Sequence, residues 1–274
     1  MKLYISVDME GITGIPDYTY VLANEHNYER ARKIMTEETN YVIHAAHQFG
    51  CKEILVNDSH SKMNNLLIDH LHDEATLITG DVKPLSMVQG LNETYDAAMF
   101  IGYHSSAGKP GVMSHSMTHA IRNFYINDHA IGEMGFNAYV AGYFDVPLIL
   151  VSGDDQAAKE ANELIPGMTT VTVKASISRS AVKSLTPKKA GELLTDKVKE
   201  ALENRKYIRP LKPPENPELK IEFNNYGQAE WAHLMPGTEI IPGTTTVRYQ
   251  AKDILEAYRA MLVMIELALQ TKFT

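Results

Sequence analysis

Two carboxylates directly follow the first apolar segment of the chain. The sequence from Ile5 to Gly11 reads I-S-V-D-M-E-G, so Asp8 and Glu10 stand two residues apart. Alternate side chains of an extended strand leave the same face, and we therefore expect both acids on one side of the backbone. Neighbouring carboxylates in an apolar segment repel each other unless a cation or a shared proton neutralises them. The spacing predicts a metal-binding pair.

Two histidines also follow apolar runs. His60 ends the segment Asp58-Ser59-His60, and His104 ends Gly102-Tyr103-His104. In open α/β sheets, ligands bind beyond the carboxyl ends of the parallel strands, so these histidines are expected beside the two acids. Carboxylate and imidazole together favour Zn²⁺, and Mn²⁺, Co²⁺ or Fe²⁺ accept the same donors.

Spacing alone gives Glu133 a different role. It follows an apolar segment, Phe124 to Gly132, in which Asn127-Asp128 is a hairpin-turn signal. A helix beginning near Gly135 would place Glu133 in or next to its first turn, where a negative charge is stabilised. The spacing therefore favours a helix-end residue over a metal ligand.

A third group of polar residues lies shortly after His104. The segment from Gly111 to His119 is small, polar and histidine-rich, and it contains His115. A histidine here could polarise a carbonyl, stabilise an oxyanion or carry protons. The spacing does not choose between His115 and His119.

Composition excludes several classes of partner. The 274 residues are 44% hydrophobic and carry a formal net charge of −8, and the 26 basic residues form no dense run, which argues against nucleic acid. The longest apolar stretch, Ala260 to Leu269, is too short to cross a bilayer. The single cysteine, Cys51, excludes an intrachain disulfide, and no secretion signal is recognisable, so we expect a cytoplasmic protein.

Strand-like and helix-like segments alternate in the first part of the chain. Asn27 and Gly50 have the residue types that begin and end a helix. Apolar runs such as A-A-M-F-I at 97–101 are typical of a parallel sheet covered on both faces. We predict an α/β fold with a mostly parallel sheet flanked by helices, in Rossmann-like layers, with strands at 2–7, 53–56, 77–79, 97–101 and 147–151 and further helices near 137–143 and 155–164.

The second part of the chain predicts a smaller α/β unit. Thr186-Pro187 is a favourable helix start, and a proline-rich connector, 210–217, follows that helix. Beyond it we expect a strand at 219–223, a helix at 227–234, a strand at 244–249 and a terminal helix. We therefore predict a metal-binding catalytic domain over residues 1–180 and a smaller α/β domain over 181–274.

Four sequence blocks together resemble the zinc-dependent D-aminopeptidase family. They are S-x-D-x-E-G at 6–11, N-D-S-H-S at 57–61, G-Y-H at 102–104 and G-V-M-S-H-S at 111–116, and the resemblance extends over essentially the whole chain. It implies two zinc ions per subunit, with Asp8 as the bridging ligand. The other ligands it implies are Glu10 and His60 on one ion and His104 and Glu133 on the other.

The resemblance also implies an activity and an assembly. It implies removal of the N-terminal D-amino acid from short peptides such as D-Ala-D-Ala, with His115 as the catalytic histidine that binds no metal. It further implies cytoplasmic homo-oligomers, including large rings whose active sites face an internal cavity.

Two other functions are compatible with the same ligands. One is hydrolysis of another bond, a phosphoester or a non-peptide amide, because two-metal sites also serve phosphatases. Basic residues near the site would favour it, but we expect Lys62, Lys83 and Lys109 to be solvated. The other is a non-catalytic peptide-binding or scaffold oligomer with structural metals, although structural zinc sites are usually closed by four ligands.

Overall fold

The chain alternates strands and helices over residues 1–272, which are the residues that the computed structural model describes. Short 3₁₀ turns lie at Ile68–His70, Ser86–Val88 and Arg205–Tyr207. In chain order the other elements are β1 (Lys2–Val7), α1 (Tyr18–Val21), α2 (Tyr28–Phe49), β2 (Glu53–Asp58), β3 (Ala75–Ile78), β4 (Ala97–Tyr103), β5 (Ile121–Ile126), β6 (His129–Ile131), α3 (Glu133–Tyr143), β7 (Leu148–Asp154), α4 (Asp155–Leu164), β8 (Thr169–Ser178), β9 (Ala181–Ser184), α5 (Pro187–Asn204), β10 (Glu218–Phe223), α6 (Tyr226–Ala232), β11 (Thr238–Ile240), β12 (Thr246–Gln250) and α7 (Ile254–Ala268).

A seven-stranded sheet has the order β3-β2-β1-β4-β7-β8-β9. Its strands are parallel except β9, which pairs antiparallel with β8. Every residue of β4 and β7 is buried, as expected for strands covered on both faces. The predicted α/β class with a mostly parallel sheet is confirmed.

A five-stranded antiparallel sheet has the order β11-β12-β10-β5-β6. The β5–β6 hairpin turns at Asn127 and Asp128, whose φ angles of 48° and 66° are those of a type I′ turn, as the Asn-Asp signal predicted. This sheet joins strands from both sides of residue 180. The division into domains 1–180 and 181–274 stays a prediction.

Helices cover both faces of the parallel sheet. Leu3, Ile5 and Val7 of β1 pack in the core that contains α2 and α5, whereas Tyr4 points to the opposite face and packs in the core that contains α3, α7 and the antiparallel sheet. This alternation follows from the period of two along a strand. Helix α2 ends as predicted at Gly50, whose φ of 109° favours glycine.

A chain of buried hydrogen bonds connects α7 with the parallel sheet. The Tyr258 hydroxyl donates to Asn137 Oδ1 at 2.8 Å, and Asn137 Nδ2 donates to the Tyr103 hydroxyl at 2.9 Å. That hydroxyl lies 2.7 Å from Ser6 Oγ, which itself donates to the Met87 carbonyl at 2.7 Å. Buried polar groups that are all paired fix the relative positions of the elements that carry them.

Candidate metal centre

The five predicted metal ligands meet at one edge of the parallel sheet. Asp8 and Glu10 lie just beyond β1, His60 and His104 follow β2 and β4, and Glu133 is the first residue of α3. His60 Nδ1 is 3.4 Å from Asp8 Oδ1 and 3.0 Å from Glu10 Oε2. His104 Nε2 is 3.5 Å from both Asp8 Oδ2 and Glu133 Oε1. All five side chains are buried.

Two glycines allow the ends of β1 and β4 to approach each other. The Gly11 amide donates to the Gly102 carbonyl at 2.7 Å. A Cβ on Gly11 would lie 2.1 Å from the Tyr103 carbonyl oxygen, and one on Gly102 would lie 2.2 Å from that of Asp8. Side chains at these positions would therefore separate the carboxylates from His104.

Backbone carbonyls orient the two histidines. His60 Nε2 lies 2.9 Å from the Val21 carbonyl oxygen, and His104 Nδ1 lies 2.9 Å from that of Ser105. A carbonyl only accepts, so in each ring this nitrogen carries the hydrogen. The other nitrogen faces the carboxylates and would offer its lone pair to a bound metal ion, which is the arrangement typical of metal-bound histidines.

The carboxylates lack the hydrogen bonds that burial normally demands. Asp8 Oδ2 and Glu10 Oε2 are inaccessible to solvent and accept no hydrogen bond from the described residues. Burial raises the pKa of Asp8 to about 7, and the neighbouring charge of Glu10 adds to this effect. A divalent cation would supply the missing partner and oppose both effects. The donor set therefore fits a metal ion.

The geometry offers more than one position for an ion. Within residues 1–272, three groups bring their donor atoms within 4.8 Å of one another. One contains Asp8, Glu10 and His60, and a second contains Asp8, His104 and Glu133. The third contains Glu10, His104 and His115. Because Asp8 belongs to the first two groups, one carboxylate can serve two neighbouring ions.

His115 lies beside the ligands, and its ring stacks on that of His104 with centroids 4.2 Å apart. Its Nδ1 lies 2.8 Å from the Met113 carbonyl oxygen, and its Nε2 is 3.7 Å from Glu133 Oε1. Burial lowers the pKa of His115, and the nearby His104 contributes, so the neutral ring is favoured. Of the two alternatives, His119 lies farther out, with its ring edge-on to Tyr18.

Residues 1–263 match the model of peptidase family M55, described as D-aminopeptidase. The chain belongs to this family. It is 65% identical over 273 residues to the D-aminopeptidase of Bacillus subtilis (strain 168), with all of both chains covered. A solved structure, the zinc-dependent D-aminopeptidase DppA from Bacillus subtilis, a self-compartmentalizing protease, matches over all of both chains with a TM-score of 0.99 and 64% identity. The family resemblance is thus confirmed, and the chain is a peptidase of the D-aminopeptidase family.

Two buried lysines hold the loops of this D-aminopeptidase family member. Lys174 of β8 donates from Nζ to the carbonyls of Glu10, Ile12 and Ile15 and so fixes the loop that follows Asp8. Strand β8 was not predicted, although V-T-V-K over 171–174 alternates as strands do. The alternation in this segment was the signal from which the strand that carries Lys174 could have been predicted.

Lys83 is the second buried lysine. Its Nζ donates to Asn57 Oδ1 at 2.7 Å and to the Asp58 carbonyl, in the segment that precedes His60. The expectation that Lys83 is solvated was wrong, because both oxygens require a donor inside the protein. Lys62 and Lys109 are exposed, as expected.

A cavity of about 450 Å³ opens beside His115 in this family member. Its polar lining residues include Ser114, His119, Arg122, Arg179 and Asn224. Neither arginine stood out in the sequence, because no motif or residue spacing around Arg122 or Arg179 indicates a binding site. Within the described residues, no helix combines the length and apolarity needed to span a membrane.

Proposed function

We propose that this peptidase is a zinc-dependent aminopeptidase that uses two zinc ions to remove the N-terminal D-amino acid from short peptides such as D-Ala-D-Ala. The observation that carries the proposal is the position of Asp8 between two groups of donors. The 65% identity to the Bacillus subtilis D-aminopeptidase and the zinc dependence of the similar solved structure support it.

The five buried ligands divide into two sets around Asp8. Glu10 and His60 would hold one ion, and His104 and Glu133 would hold the other, with Asp8 as the bridge. When bound, zinc supplies a Lewis acid that polarises the scissile carbonyl and lowers the pKa of water towards neutrality. The third group of donors contains His115 and not Asp8, so it offers an alternative position for an ion. The metal content of the Asp8 and His115 variants distinguishes this position from the other two.

His115 supplies the proton chemistry in this proposal. Its Nδ1 hydrogen is held by the Met113 carbonyl, so Nε2 is free to accept a proton and pass it to the leaving amine. Its lowered pKa keeps Nε2 unprotonated at neutral pH, as a base requires. Stacking on His104 fixes the plane of the ring, so Nε2 keeps its direction towards the ligand carboxylates.

The assembly and location of the chain are also proposals. The similar solved structure is described as a self-compartmentalizing protease, which supports a homo-oligomer, including a large ring with active sites facing an internal cavity. The single Cys51 is buried and free, which is compatible with the proposed cytoplasmic location.

One assay tests the proposed activity. Zinc-loaded protein receives D-alanyl p-nitroanilide, its L-enantiomer and a p-nitrophenyl phosphoester, each with and without a chelator. We expect chelator-sensitive cleavage of the D-anilide and little cleavage of the other two. Cleavage of the phosphoester alone would replace the proposal by phosphoester hydrolysis, and zinc binding without any cleavage would favour a scaffold.

A further inference from the structure

The cavity beside His115 has a polar wall that the metal centre does not use. His115 belongs to both, because its Nε2 lies 3.7 Å from Glu133 and its side chain lines the cavity. A substrate bound at the proposed metal centre would therefore have room to extend into this space.

One cation of this wall, Arg179, is held in place by the protein. Arg179 lies in the β8–β9 turn, and its Nη1 donates to the Ser114 carbonyl at 2.6 Å while its Nη2 donates to the Tyr18 hydroxyl at 2.8 Å. The Arg179 carbonyl accepts from the Met113 amide at 2.9 Å. A guanidinium has five N–H donors, so these contacts fix Arg179 and leave donors free for a ligand.

The second cation comes from the antiparallel sheet. Arg122 on β5 also lines the cavity, its side chain is 69% exposed, and its Nη1 is 3.5 Å from Glu222 Oε1. His119 and Asn224 add neutral donors to the same wall. The site as a whole is acidic at the metal ligands and basic across the cavity.

This distribution of charge matches the two ends of a short peptide. An aminopeptidase substrate has an amine beside the scissile bond, and in a dipeptide the terminal carboxylate carbon is only three covalent bonds from the scissile carbonyl carbon. Each additional residue moves the carboxylate away by roughly 3.5 Å. Guanidinium groups on the cavity wall, of which Arg179 is held by hydrogen bonds, would therefore discriminate between peptides by the distance between their two ends.

We propose that Arg122 and Arg179 bind the C-terminal carboxylate of the substrate and so select very short peptides. This inference rests on the proposed aminopeptidase function. Guanidinium and carboxylate form paired, charge-assisted hydrogen bonds, which are stronger than hydrogen bonds to a neutral amide. The two arginines determine specificity and take no part in bond cleavage.

The test compares one peptide in two forms. The kcat/KM of zinc-loaded protein is measured for D-Ala-D-Ala with a free carboxylate and for the same peptide with a C-terminal amide. We expect the wild-type protein to favour the acid by about tenfold or more. In Arg122→Gln and Arg179→Gln this ratio should fall, through a higher KM for the acid, while kcat/KM for the amide changes little. Lys109→Gln removes a nearby exposed charge outside the cavity lining and should keep the ratio.

The possible outcomes separate the two proposals. If neither peptide nor D-alanyl p-nitroanilide is cleaved, the proposed function fails. If the anilide is cleaved but the wild-type protein shows no preference for the acid, or if both arginine variants keep that preference, carboxylate binding is overturned. If Arg179→Gln lowers kcat for both peptides equally, Arg179 acts on His115 through Ser114. The ratio of kcat/KM for the acid to kcat/KM for the amide in Arg122→Gln then decides whether the cavity binds the carboxylate.

Discussion

The parallel sheet buries the charged residues at its carboxyl edge, whereas the antiparallel sheet exposes a charged pair to solvent. At the carboxyl edge of the parallel sheet, β1, β2 and β4 are adjacent and their following residues are buried together. In the antiparallel sheet, by contrast, Arg248 and Glu239 form an exposed pair at 2.6 Å. An exposed pair is solvated on both sides and contributes little, whereas buried carboxylates require a cation. The buried acids thus form a candidate metal centre at the parallel sheet, whereas the pair of Arg248 and Glu239 on the antiparallel sheet is solvated.

Removal of the shared carboxylate should have the largest effect. We expect Asp8→Asn to lose both metal ions and to lower kcat/KM by about a thousandfold or more, because each ion depends on that carboxylate. Glu10→Gln is the matched variant and should weaken mainly one ion. Metal content of the purified, zinc-loaded proteins, measured by mass spectrometry, checks both. Two retained ions in Asp8→Asn would show that Asp8 is not a bridge.

His115 tests whether the loop beside the sheet edge binds metal or moves protons. His115→Ala should lower kcat by roughly 10²- to 10⁴-fold and keep the metal content, since its proposed role is proton transfer. His119→Ala, which removes the neighbouring ring, should change kcat much less. Steady-state kinetics with parallel metal analysis provides the measurement, and loss of an ion from His115→Ala would make His115 a ligand.

Lys174 tests how much stability depends on hydrogen bonds to buried carbonyls at the carboxyl edge of the parallel sheet. Lys174→Met leaves three buried carbonyls without their donor, and we expect the free energy of unfolding to fall by about 3 kcal/mol. Lys183→Met, in the exposed part of β9, is the control and should have a small effect. Urea denaturation of the wild-type protein and of both variants, each with and without zinc, gives these values. Equal stability of both variants would contradict the role of Lys174.

The smallest effect is expected in the antiparallel sheet. Arg248→Gln breaks the exposed pair with Glu239 and should leave both kcat/KM and metal content unchanged, because solvent screens that pair. The same kinetic and metal assays apply. A decrease of more than twofold would show that charges of this sheet act on the metal centre.

The convergence of four of the proposed ligands was predictable because a general rule of topology applies to them. Ligands gather where parallel strands end, and apolar runs before Asp8, His60 and His104 marked those ends. Strand alternation does not explain why the two acids are neighbours, because β1 ends at Val7 and both acids lie in the loop that follows. Glu133 was not accessible from spacing, since its position depends on how the β5–β6 hairpin delivers α3 to the sheet. The family resemblance, and not periodicity, predicted Glu133 as a ligand, and this role stays a prediction.

The basic wall of the cavity was beyond local sequence patterns. Arg179 reaches the site through the contact between its carbonyl and the Met113 amide, 66 positions earlier in the chain. Strand β8, which leads to this turn, had a recognisable alternation, but nothing in it indicated which loop it would meet. Long-range pairing is decided by the whole fold, so residues brought together in this way escape a sequence pattern.

The buried hydrogen-bond chain from Tyr258 to Ser6 has a consequence for recombination between relatives. Asn137 is one helical turn after Glu133, and Ser6 is two residues before Asp8, so the chain spans both halves of the candidate centre. A chimera joined near residue 180 would take Tyr258 from one parent and Asn137 from the other. A functional chimera therefore requires that Asn137 and Tyr258 come from the same parent or remain compatible. The segment from 181 onwards carries part of the hydrogen-bond chain that positions the carboxylates.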